Sequence, residues 1–346
     1  MPPAGKGSVK MNVLEYEKLY PLKFRPIYME RVWGGNMISE VFNRELPPHD
    51  APIGESWELV DRPEVKSVVS EGELAGETLH DLLAVYGRKL VGGKGGNCKE
   101  FPLMVKLIDA GERLSLQVHP DENACRLIGD GAEPKTEMWY VIAARSGAKI
   151  FAGLDRSATK VQLMDMLDSP DVESLMQVYR SQPGDAYYIT SGTLHAIGAG
   201  NLILEIQQNS DTTYRVNDWG RVGTDGKPRT LHKEQGLKSI NFTNRTSPRV
   251  PGSVEVRNYN RKLDVVKLCP YFKVSDLRLC SSWMDDTLPG DSFHLLSAVK
   301  NRVKVGRDDL TAVVSPGETV LIPACFGLYT VTPLDEGEAV VVKTTL

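Results

Sequence analysis

Short apolar runs recur along most of the chain, and turn residues such as glycine and proline separate them. In many runs apolar and polar residues alternate, which predicts strands that are buried on one face. Many short strands between turns are typical of an all-β sandwich or barrel. Clear examples are PLMVKLIDA, MWYVIAA, LILEIQQ and AVVVKTT. The pattern therefore predicts a chain dominated by β-sheet.

A few segments break this alternation, because their apolar residues are spaced three or four apart. That spacing places apolar side chains on one face of a helix. We expect helical inserts in the β framework at residues 76–93, at 121–128 with Asp121 as the N-cap, at 157–180 as two short helices broken at Pro170, and at KEQGLKSI, 233–240.

One part of the pattern occurs twice. PGDAYYI at 183–189 and PGETVLI at 316–322 share a Pro-Gly-acid turn followed by a run that ends in isoleucine. At the same offset His195 falls opposite Leu328, so only the first copy keeps this histidine. The repeat indicates two copies of one β module.

The length of 346 residues suggests about two domains. A polar segment rich in Asn, Arg and Pro separates the motif-rich region from the last β runs. We expect a flexible tail over 1–20, a first β domain with helical inserts over 21–240, a linker over 241–262 and a C-terminal β domain over 263–346.

Composition and charge exclude several classes of partner. The formal net charge is -4 and basic residues form no block, which argues against a nucleic-acid partner. No apolar run approaches the roughly 18 residues that a membrane span needs. The first residues lack the apolar core of a secretory signal, and the 5 cysteines show no CxxC pair. We therefore expect a cytoplasmic protein without disulfides.

The stretch RLSLQVHP, at 113–120, raises a question about chemistry. Read as a strand, it places Leu114, Leu116 and Val118 on one face, and Ser115, Gln117 and His119 on the other. The polar row either faces solvent or lines a site.

Other ligand-type side chains stand in strand-like contexts, Glu137 in KTEMWYVI and His195 in GTLHAIG. Two imidazoles, a carboxylate and an amide oxygen suit Zn²⁺, with Fe²⁺, Co²⁺, Ni²⁺ or Mn²⁺ as other candidates. Spacing alone leaves open a hydrogen-bonded core histidine and a solvated charge at a strand end.

Blocks in this order resemble type I mannose-6-phosphate isomerase (phosphomannose isomerase), in its short bacterial form. They are PLMVKLIDAGERLSLQVHPDE, KTEMWYVI and PGDAYYITSGTLHAIGAGNLILEIQQNSDTTYRVNDWGR. The resemblance runs from about Leu22 to the C-terminus and is strongest over 102–221. It implies an all-β dominated fold of two cupin (jelly-roll) barrel or sandwich units with inserted helices, the second unit lacking metal ligands.

The resemblance also implies a reaction. It is the zinc-dependent interconversion of mannose 6-phosphate and fructose 6-phosphate, an aldose-ketose isomerisation through an enediolate. One Zn²⁺ per chain would be held by Gln117, His119, Glu137 and His195.

Further roles follow from the same resemblance. The catalytic residues would be Arg215, Glu205 and Lys135, with Glu205 the first choice for the base and Lys135 the second. Substrate contacts would come from Lys106, Ser115 and Trp33. Without the resemblance, Lys106 reads as a surface lysine, Trp33 as a core aromatic residue, and Arg215 as the partner of Asp211 or Asp218.

Two other functions stay open at this point. One is an iron-dependent cupin oxygenase, which Gln117 and the TYRV arginine argue against. The other is a non-catalytic or differently specific sugar-phosphate-binding cupin. In each case we expect a small-molecule partner, no nucleic acid, no membrane, and a monomer or weak homo-oligomer.

Overall fold

The structure is a computed structural model that describes residues 19–223, 226–251, 253–257, 259–287 and 290–346. Of the tail expected over 1–20, residues 1–18 lie outside the described residues. Leu19 is buried, and the Tyr20 hydroxyl donates a hydrogen bond to the Glu71 carbonyl at 3.0 Å. These two residues therefore belong to the folded chain rather than to a tail.

Strands make up most of the regular structure, which confirms the β-dominated expectation. They are β1 (Leu22–Lys23), β2 (Ile27–Glu30), β3 (Ile53–Leu59), β4 (Leu103–Ala110), β5 (Leu116–Val118), β6 (Glu137–Ala144), β7 (Lys149–Leu154), β8 (Met176–Arg180), β9 (Ala186–Ile189), β10 (His195–Ile197), β11 (Asn201–Gln208), β12 (Tyr214–Asn217), β13 (Ser253–Arg257), β14 (Asn260–Val266), β15 (Lys273–Leu279), β16 (Trp283–Asp286), β17 (His294–Lys300), β18 (Val303–Arg307), β19 (Leu310–Val314), β20 (Thr319–Ile322), β21 (Leu328–Pro333) and β22 (Ala339–Thr345).

Two sheets form a first sandwich. The six-stranded sheet has the order β2-β3-β4-β11-β6-β9, and the five-stranded sheet has the order β12-β5-β10-β7-β8. Apolar side chains of both sheets meet in one buried cluster, with Ile108 and Ile203 from the first sheet and Ile150 and Ile197 from the second. This interior contains the candidate site.

The remaining sheets form a second sandwich. Their orders are β1-β20-β17-β22-β15-β14-β13 and β16-β21-β18-β19. Leu277 and Val341 pack between them against Val305 and Val331. Neighbouring strands in all the sheets pair antiparallel, and over the described segments no sheet closes into a barrel.

The sandwiches pack on each other through their larger sheets. Val105 and Leu204, on the outer face of the six-stranded sheet, share one buried cluster with Val274 and Leu295 of the seven-stranded sheet. The strand β1 belongs to the seven-stranded sheet although it precedes the first sandwich, since Leu22 pairs with Leu321. The chain therefore ties the two halves together at its first strand.

The two sandwiches repeat one strand order. The strands from β2 to β11 have counterparts, in the same chain order, from β13 to β22. Glu137 begins β6 and pairs with Ile189, and its counterpart His294 begins β17 and pairs with Ile322. The turns that introduced the repeat, at 183–189 and 316–322, precede or include β9 and β20 in equivalent places.

At the position of His195 the buried residue of the second sandwich lies one place beyond the residue that the sequence offset gives. Leu328, which falls opposite His195 at the sequence offset, is 54% exposed. The next residue, Tyr329, is buried between the sheets of the second sandwich. Because side chains alternate along a strand, a difference of one residue exchanges the inward and outward positions.

The helices are short. They are α1 (Met37–Phe42), α2 (Leu79–Tyr86), α3 (Arg88–Gly95), α4 (Glu122–Ile128), α5 (Lys160–Met166) and α6 (Lys233–Ser239), with a 3₁₀ helix over Pro170–Leu175. Among the helices of the described segments, none has the length and apolar character that a bilayer crossing requires.

Most helix predictions are confirmed, with two corrections. Asp121 caps α4 by accepting a hydrogen bond from the Ala124 amide, as expected. The segment 76–93 forms two helices rather than one, because Gly87 takes a positive φ of 47° between them. The segment 157–180 contains α5 and the 3₁₀ helix, but its last residues form the strand β8. The sequence pattern did not predict α1.

The segment 241–262 also differs from the linker that was expected there. Residues 253–257 form β13, and β14 begins at Asn260 and pairs with it. The polar residues around them concealed these strands. The strand β13 lies at the edge of its sheet, and its Val254 and Val256 are exposed. The boundaries of the expected domains stay predictions.

Candidate active site

Three neighbouring strands of the five-stranded sheet bring His195, Gln117 and Arg215 into one row. Gln117 of β5 pairs with His195 of β10 on one side and with Arg215 of β12 on the other. Directly opposed residues of antiparallel strands project their side chains to the same face. Backbone pairing therefore places an imidazole, an amide and a guanidinium side by side.

The six-stranded sheet carries a second polar row. Glu205 of β11 pairs with Lys106 of β4 on one side and with Trp139 of β6 on the other. Glu137 lies at the start of β6, and the edge of the Trp139 ring meets the His195 ring with centroids 5.2 Å apart. The two rows thus face each other inside the first sandwich.

His119, Glu137 and His195 form a compact cluster at the centre of this interior. One ligand atom from each lies within 4.8 Å of the others, and all three residues are buried. The Nε2 atom of His119 is 3.2 Å from Glu137 Oε2, and that of His195 is 3.5 Å from Glu137 Oε1. The residues expected to bind metal therefore meet in space.

Hydrogen bonds fix the orientation of both imidazoles. The Nδ1 of His119 donates to the Thr212 carbonyl at 2.9 Å, and the Nδ1 of His195 donates to the Thr193 carbonyl at 2.8 Å. Each Nε2 consequently carries a lone pair, that of His119 without a hydrogen-bond partner among the described residues and that of His195 beside the Gln117 amide. A backbone carbonyl behind the ring is the usual support of a metal-binding histidine.

The electrostatics of the cluster suit a cation. Burial lowers the pKa of both imidazoles, that of His195 to about 3, so both are neutral ligands. Burial opposes the charge of Glu137, but Lys135, 2.8 Å from its Oε2, and His119 outweigh it and hold the Glu137 pKa well below its usual value. Neither His119 Nε2 nor Glu137 Oε1 makes a well-aligned hydrogen bond to any described residue. Buried polar atoms without such partners fit a site for a metal ion.

Gln117 lies beside this cluster. Its Nε2 is 3.3 Å from the Nε2 of His195, and its Oε1 accepts a hydrogen bond from the Ser115 hydroxyl at 3.4 Å. A half-turn of the amide exchanges the two atoms and directs the oxygen at the cluster. Gln117 as a direct ligand stays a prediction.

Glu205 has the properties of a proton acceptor. Its Oε1 accepts a hydrogen bond from Trp139 Nε1 at 3.0 Å, and its Oε2 is 3.9 Å from Lys106 Nζ. Burial, followed by the charge of Glu137, raises the pKa of Glu205 to about 7. A carboxyl group that titrates near neutrality is suited to general acid–base catalysis.

Lys135 completes the charged interior. It is buried, and the attraction of Glu137 outweighs the burial that opposes its charge, so its pKa is raised. Its charge offsets that of the neighbouring carboxylates. Lys106 is buried as well, so it is an interior lysine rather than the surface lysine that its strand alone would suggest.

Several side chains near the site escaped the sequence analysis. Glu55 and Trp57 lie two residues apart on β3, and Glu55 accepts hydrogen bonds from Trp57 Nε1 at 2.6 Å and from Arg31 Nε at 2.9 Å. The alternation in IGESWEL could have indicated that Glu55 and Trp57 share a face. Nothing in the sequence indicated that β3 lies beside Lys106.

Arg215 belongs to a group of arginines at one end of the five-stranded sheet. Its NH1 donates to the Thr230 carbonyl at 2.9 Å, whereas Asp218, one of its expected partners, pairs with Arg229. Burial and the neighbouring Arg229 lower the pKa of Arg215, and burial also lowers that of Arg221. The Nε of Arg215 and the NH1 of Arg221 are buried without a hydrogen-bond partner among the described residues. These donors could bind an anion.

The remaining predicted residues take different positions. Ser115 is buried beside Gln117, and Trp33 packs in the apolar cluster that includes Trp139. Leu116 and Val118 pack outward against Leu163 and other helical residues. Leu114 is different, because it precedes β5 and packs between the sheets of the first sandwich.

Comparison with known proteins agrees with this arrangement. The family model described as "Phosphomannose isomerase type I, catalytic domain" matches residues 22–138. A Bacillus subtilis protein named "Probable mannose-6-phosphate isomerase GmuF" is 34% identical over 313 residues, 90% of this chain and 96% of that protein. A Streptococcus mutans protein named "Mannose-6-phosphate isomerase" is 34% identical over 307 residues, 88% of this chain and 92% of that protein.

Two solved structures have the same fold as this chain. The crystal structure of the mannose 6-phosphate isomerase from Bacillus subtilis superposes with a TM-score of 0.83 at 30% identity, covering 95% of this chain and 100% of that chain. A putative mannosephosphate isomerase from Archaeoglobus fulgidus superposes with a TM-score of 0.74 at 21% identity, covering 94% of this chain and 97% of that chain, and supports the fold alone.

Proposed function

The chain belongs to the type I phosphomannose isomerase family and is an isomerase, and we propose that it interconverts mannose 6-phosphate and fructose 6-phosphate. The observation that carries this proposal is the meeting of two sets of residues inside the first sandwich. One set is a buried cluster of two neutral imidazoles and a carboxylate. The other is a carboxyl, Glu205, with a pKa near 7.

We propose that the cluster holds one Zn²⁺ per chain. His119, Glu137 and His195 would be ligands, and Gln117 would be a fourth ligand after its amide turns. Two nitrogens with carboxylate and amide oxygens suit zinc, and the orphaned Nε2 and Oε1 atoms support a bound cation. When bound, the ion would supply Lewis-acid stabilisation of the negative charge that develops on the sugar oxygens.

Glu205 would move the proton in this reaction. Aldose–ketose isomerisation transfers a proton between C2 and C1 through an enediolate, and one base can serve both carbons. Burial raises the pKa of Glu205, and a carboxyl with a raised pKa can both accept the proton and return it. Lys135 and Lys106 flank it, and their ammonium groups would stabilise the negative charge that develops on the sugar.

The phosphate group of the substrate would bind at the arginines. Arg215 and Arg221 offer buried donors that have no described protein partner, and the Arg215 side chain lies in the same row as Gln117. Guanidinium groups bind phosphate through paired hydrogen bonds. Ser115 and Trp33 would complete the substrate contacts near β5.

We also propose a fold family, a cellular location and an oligomeric state for the chain. The two sandwiches would be two cupin units, of which the second lacks a metal site and supports the first. The 5 cysteines are free, which agrees with a reducing, cytoplasmic setting. A monomer or weak homo-oligomer remains the expected state.

The test is a coupled assay for fructose 6-phosphate formation, together with metal analysis. We expect about one zinc per chain, loss of activity after complete chelation and recovery when Zn²⁺ returns. His195→Ala should lose metal and activity together, whereas His49→Ala, at an exposed residue outside the site, should keep both. Full activity without metal would refute the metal-dependent reaction, and a zinc-loaded, folded protein without isomerase activity would indicate a binding protein.

A further inference from the structure

We propose that Glu55 is a positioning residue of this site, which together with Trp57 holds the Lys106 ammonium group beside Glu205. The inference rests on the proposed function, because Glu205 is taken as the proton-transfer base. The role of Glu55 is to keep a permanent counter-ion next to Lys106 while Glu205 changes its charge.

Lys106 lies between two carboxylates. Its Nζ is 3.9 Å from Glu55 Oε2 and also 3.9 Å from Glu205 Oε2, and its side chain is 6% exposed. The Trp57 ring covers it, with the ring centroid 5.0 Å from Nζ. Backbone pairing produces this arrangement, because Trp57 of β3 pairs with Lys106 and Glu205 of β11 pairs with it from the other side. The lysine is thus shared between a carboxylate on each neighbouring strand.

The two carboxylates differ in a way that assigns them different roles. Glu55 receives hydrogen bonds from Arg31 and from Trp57 Nε1, and although burial opposes its charge, Lys106 and Arg31 lower its pKa to about 2. It therefore stays ionised at neutral pH. Glu205 has one hydrogen-bond donor among the described residues, Trp139 Nε1, and burial raises its pKa.

The arrangement has a consequence during turnover. When Glu205 takes the substrate proton, Lys106 loses one of its two carboxylate neighbours. Glu55 remains ionised, so the ammonium group keeps a buried counter-ion and its position. Without Glu55, Lys106 would pair with Glu205 alone and would favour the ionised form of that carboxyl. The pKa of Glu205 would then fall, and Glu205 would become a weaker base.

The test is Glu55→Gln, which keeps the shape and the hydrogen bond from Trp57 but removes the charge. The groups that face Glu205 in this variant are Lys106 on β4, Glu137 and Trp139 on β6, and Lys135, all unchanged. We expect unchanged zinc content and a kcat that is lowered at alkaline pH, by at most about tenfold for each pKa unit that Glu205 loses. The acid limb of the pH profile of kcat should move to lower pH, with a smaller change in KM.

The chain offers a matched control on the same strand. Glu58 is also buried on β3 and also pairs with an arginine, since Arg44 NH1 is 2.7 Å from its Oε1, but its partners Arg44 and Ser56 lie outside the site. Glu58→Gln should lower stability and leave the pH profile of kcat in place. A shared effect of both variants on the profile would reduce Glu55 to a structural role and overturn the proposal.

A second readout does not depend on turnover. The titration of Glu205 can be followed by NMR with ¹³C-labelled glutamate, assigned from its loss in Glu205→Gln. Glu55→Gln should lower the titration midpoint of Glu205, and an unchanged midpoint overturns the proposal. If Glu55→Gln fails to fold, Arg31→Met, at a partly exposed residue that pairs with Glu55, provides the opposite perturbation. It leaves the ionised Glu55 to Lys106 alone, so the titration midpoint of Glu205 should rise, and a lowered midpoint would overturn the proposal. A shifted midpoint in a protein without isomerase activity would keep the positioning role and refute the proposed function.

Discussion

Replacing Glu205 by glutamine should remove catalysis and increase stability at the same time. The amide keeps an oxygen that can accept the hydrogen bond from Trp139 Nε1. It cannot take a proton from the sugar, so we expect kcat to fall by roughly 10²–10⁴, the usual contribution of a general base. KM and zinc content should change little, because Glu205 is outside the metal cluster of His119, Glu137 and His195.

The stability of the metal-free protein should move in the opposite direction. Burial, followed by Glu137, raises the pKa of Glu205 from 4.5 to about 7, so the folded state disfavours the ionised form. A carboxyl whose pKa is higher in the folded state costs stability as pH rises from its unfolded value towards 7, and the full cost persists above 7. The difference corresponds to roughly 3 kcal/mol. Glu205→Gln should therefore be more stable than the wild type at pH 8, and the gain should disappear below about pH 4.5.

Chemical denaturation of metal-free protein at pH 8 and pH 4.5 measures this difference, and the isomerase assay measures the activity. Glu40→Gln is a suitable control, because Glu40 is half exposed and pairs only with Arg145 in the described structure. An active Glu205→Gln enzyme would eliminate Glu205 as the base. A variant that is less stable at pH 8 would show that the buried carboxylate is better compensated than its surroundings indicate.

Two further substitutions test other parts of the molecule. Arg215→Lys should keep zinc and raise KM for the sugar phosphate about tenfold or more, because lysine cannot form paired hydrogen bonds to phosphate; an unchanged KM in the steady-state assay would move the phosphate elsewhere. Lys343→Met should lower the free energy of unfolding by roughly 2–3 kcal/mol, because it leaves the largely buried Asp285 without its 2.6 Å partner; denaturation measures the loss, and activity per folded molecule should be retained.

Local patterns were enough to predict the strands and the cap of α4, because alternation and capping depend on residues close in sequence. They were also enough to place Gln117 and His119 on one face. The pairing of Gln117 with both His195 and Arg215 depends on the order of strands in the sheet. No local pattern encodes that order, so the proposed metal ligands could be joined in advance only through the family resemblance.

Two features that the sequence did not reveal, β13 and Glu55, were missed for local reasons. The strand β13 was missed although SVEVR alternates, because it is short and its flanking residues are polar and rich in turn formers. Glu55 was missed because its importance comes from Lys106 on the neighbouring strand and from Arg31, 24 positions earlier in the chain. A carboxylate in a strand gives no sign of its partner, since the charge that makes it useful lies on another element.

The repeated strand order explains why only one sandwich would need a metal. In the second sandwich, His294 takes the place of Glu137, and its Nδ1 lies 2.7 Å from the buried Tyr329 hydroxyl. The neighbouring charges, Lys343 and Asp285, pair with each other. Burial lowers the pKa of His294 to about 3, so the imidazole is neutral. In the first sandwich two imidazole nitrogens and a carboxylate point at one another, and Lys135 pairs with the carboxylate alone. In the second, the imidazole of His294 meets the Tyr329 hydroxyl instead, and the nearby charges pair with each other. Loss of metal should therefore disturb the first sandwich and leave the second intact, which amide hydrogen exchange of β6 and β17 with and without chelator would measure.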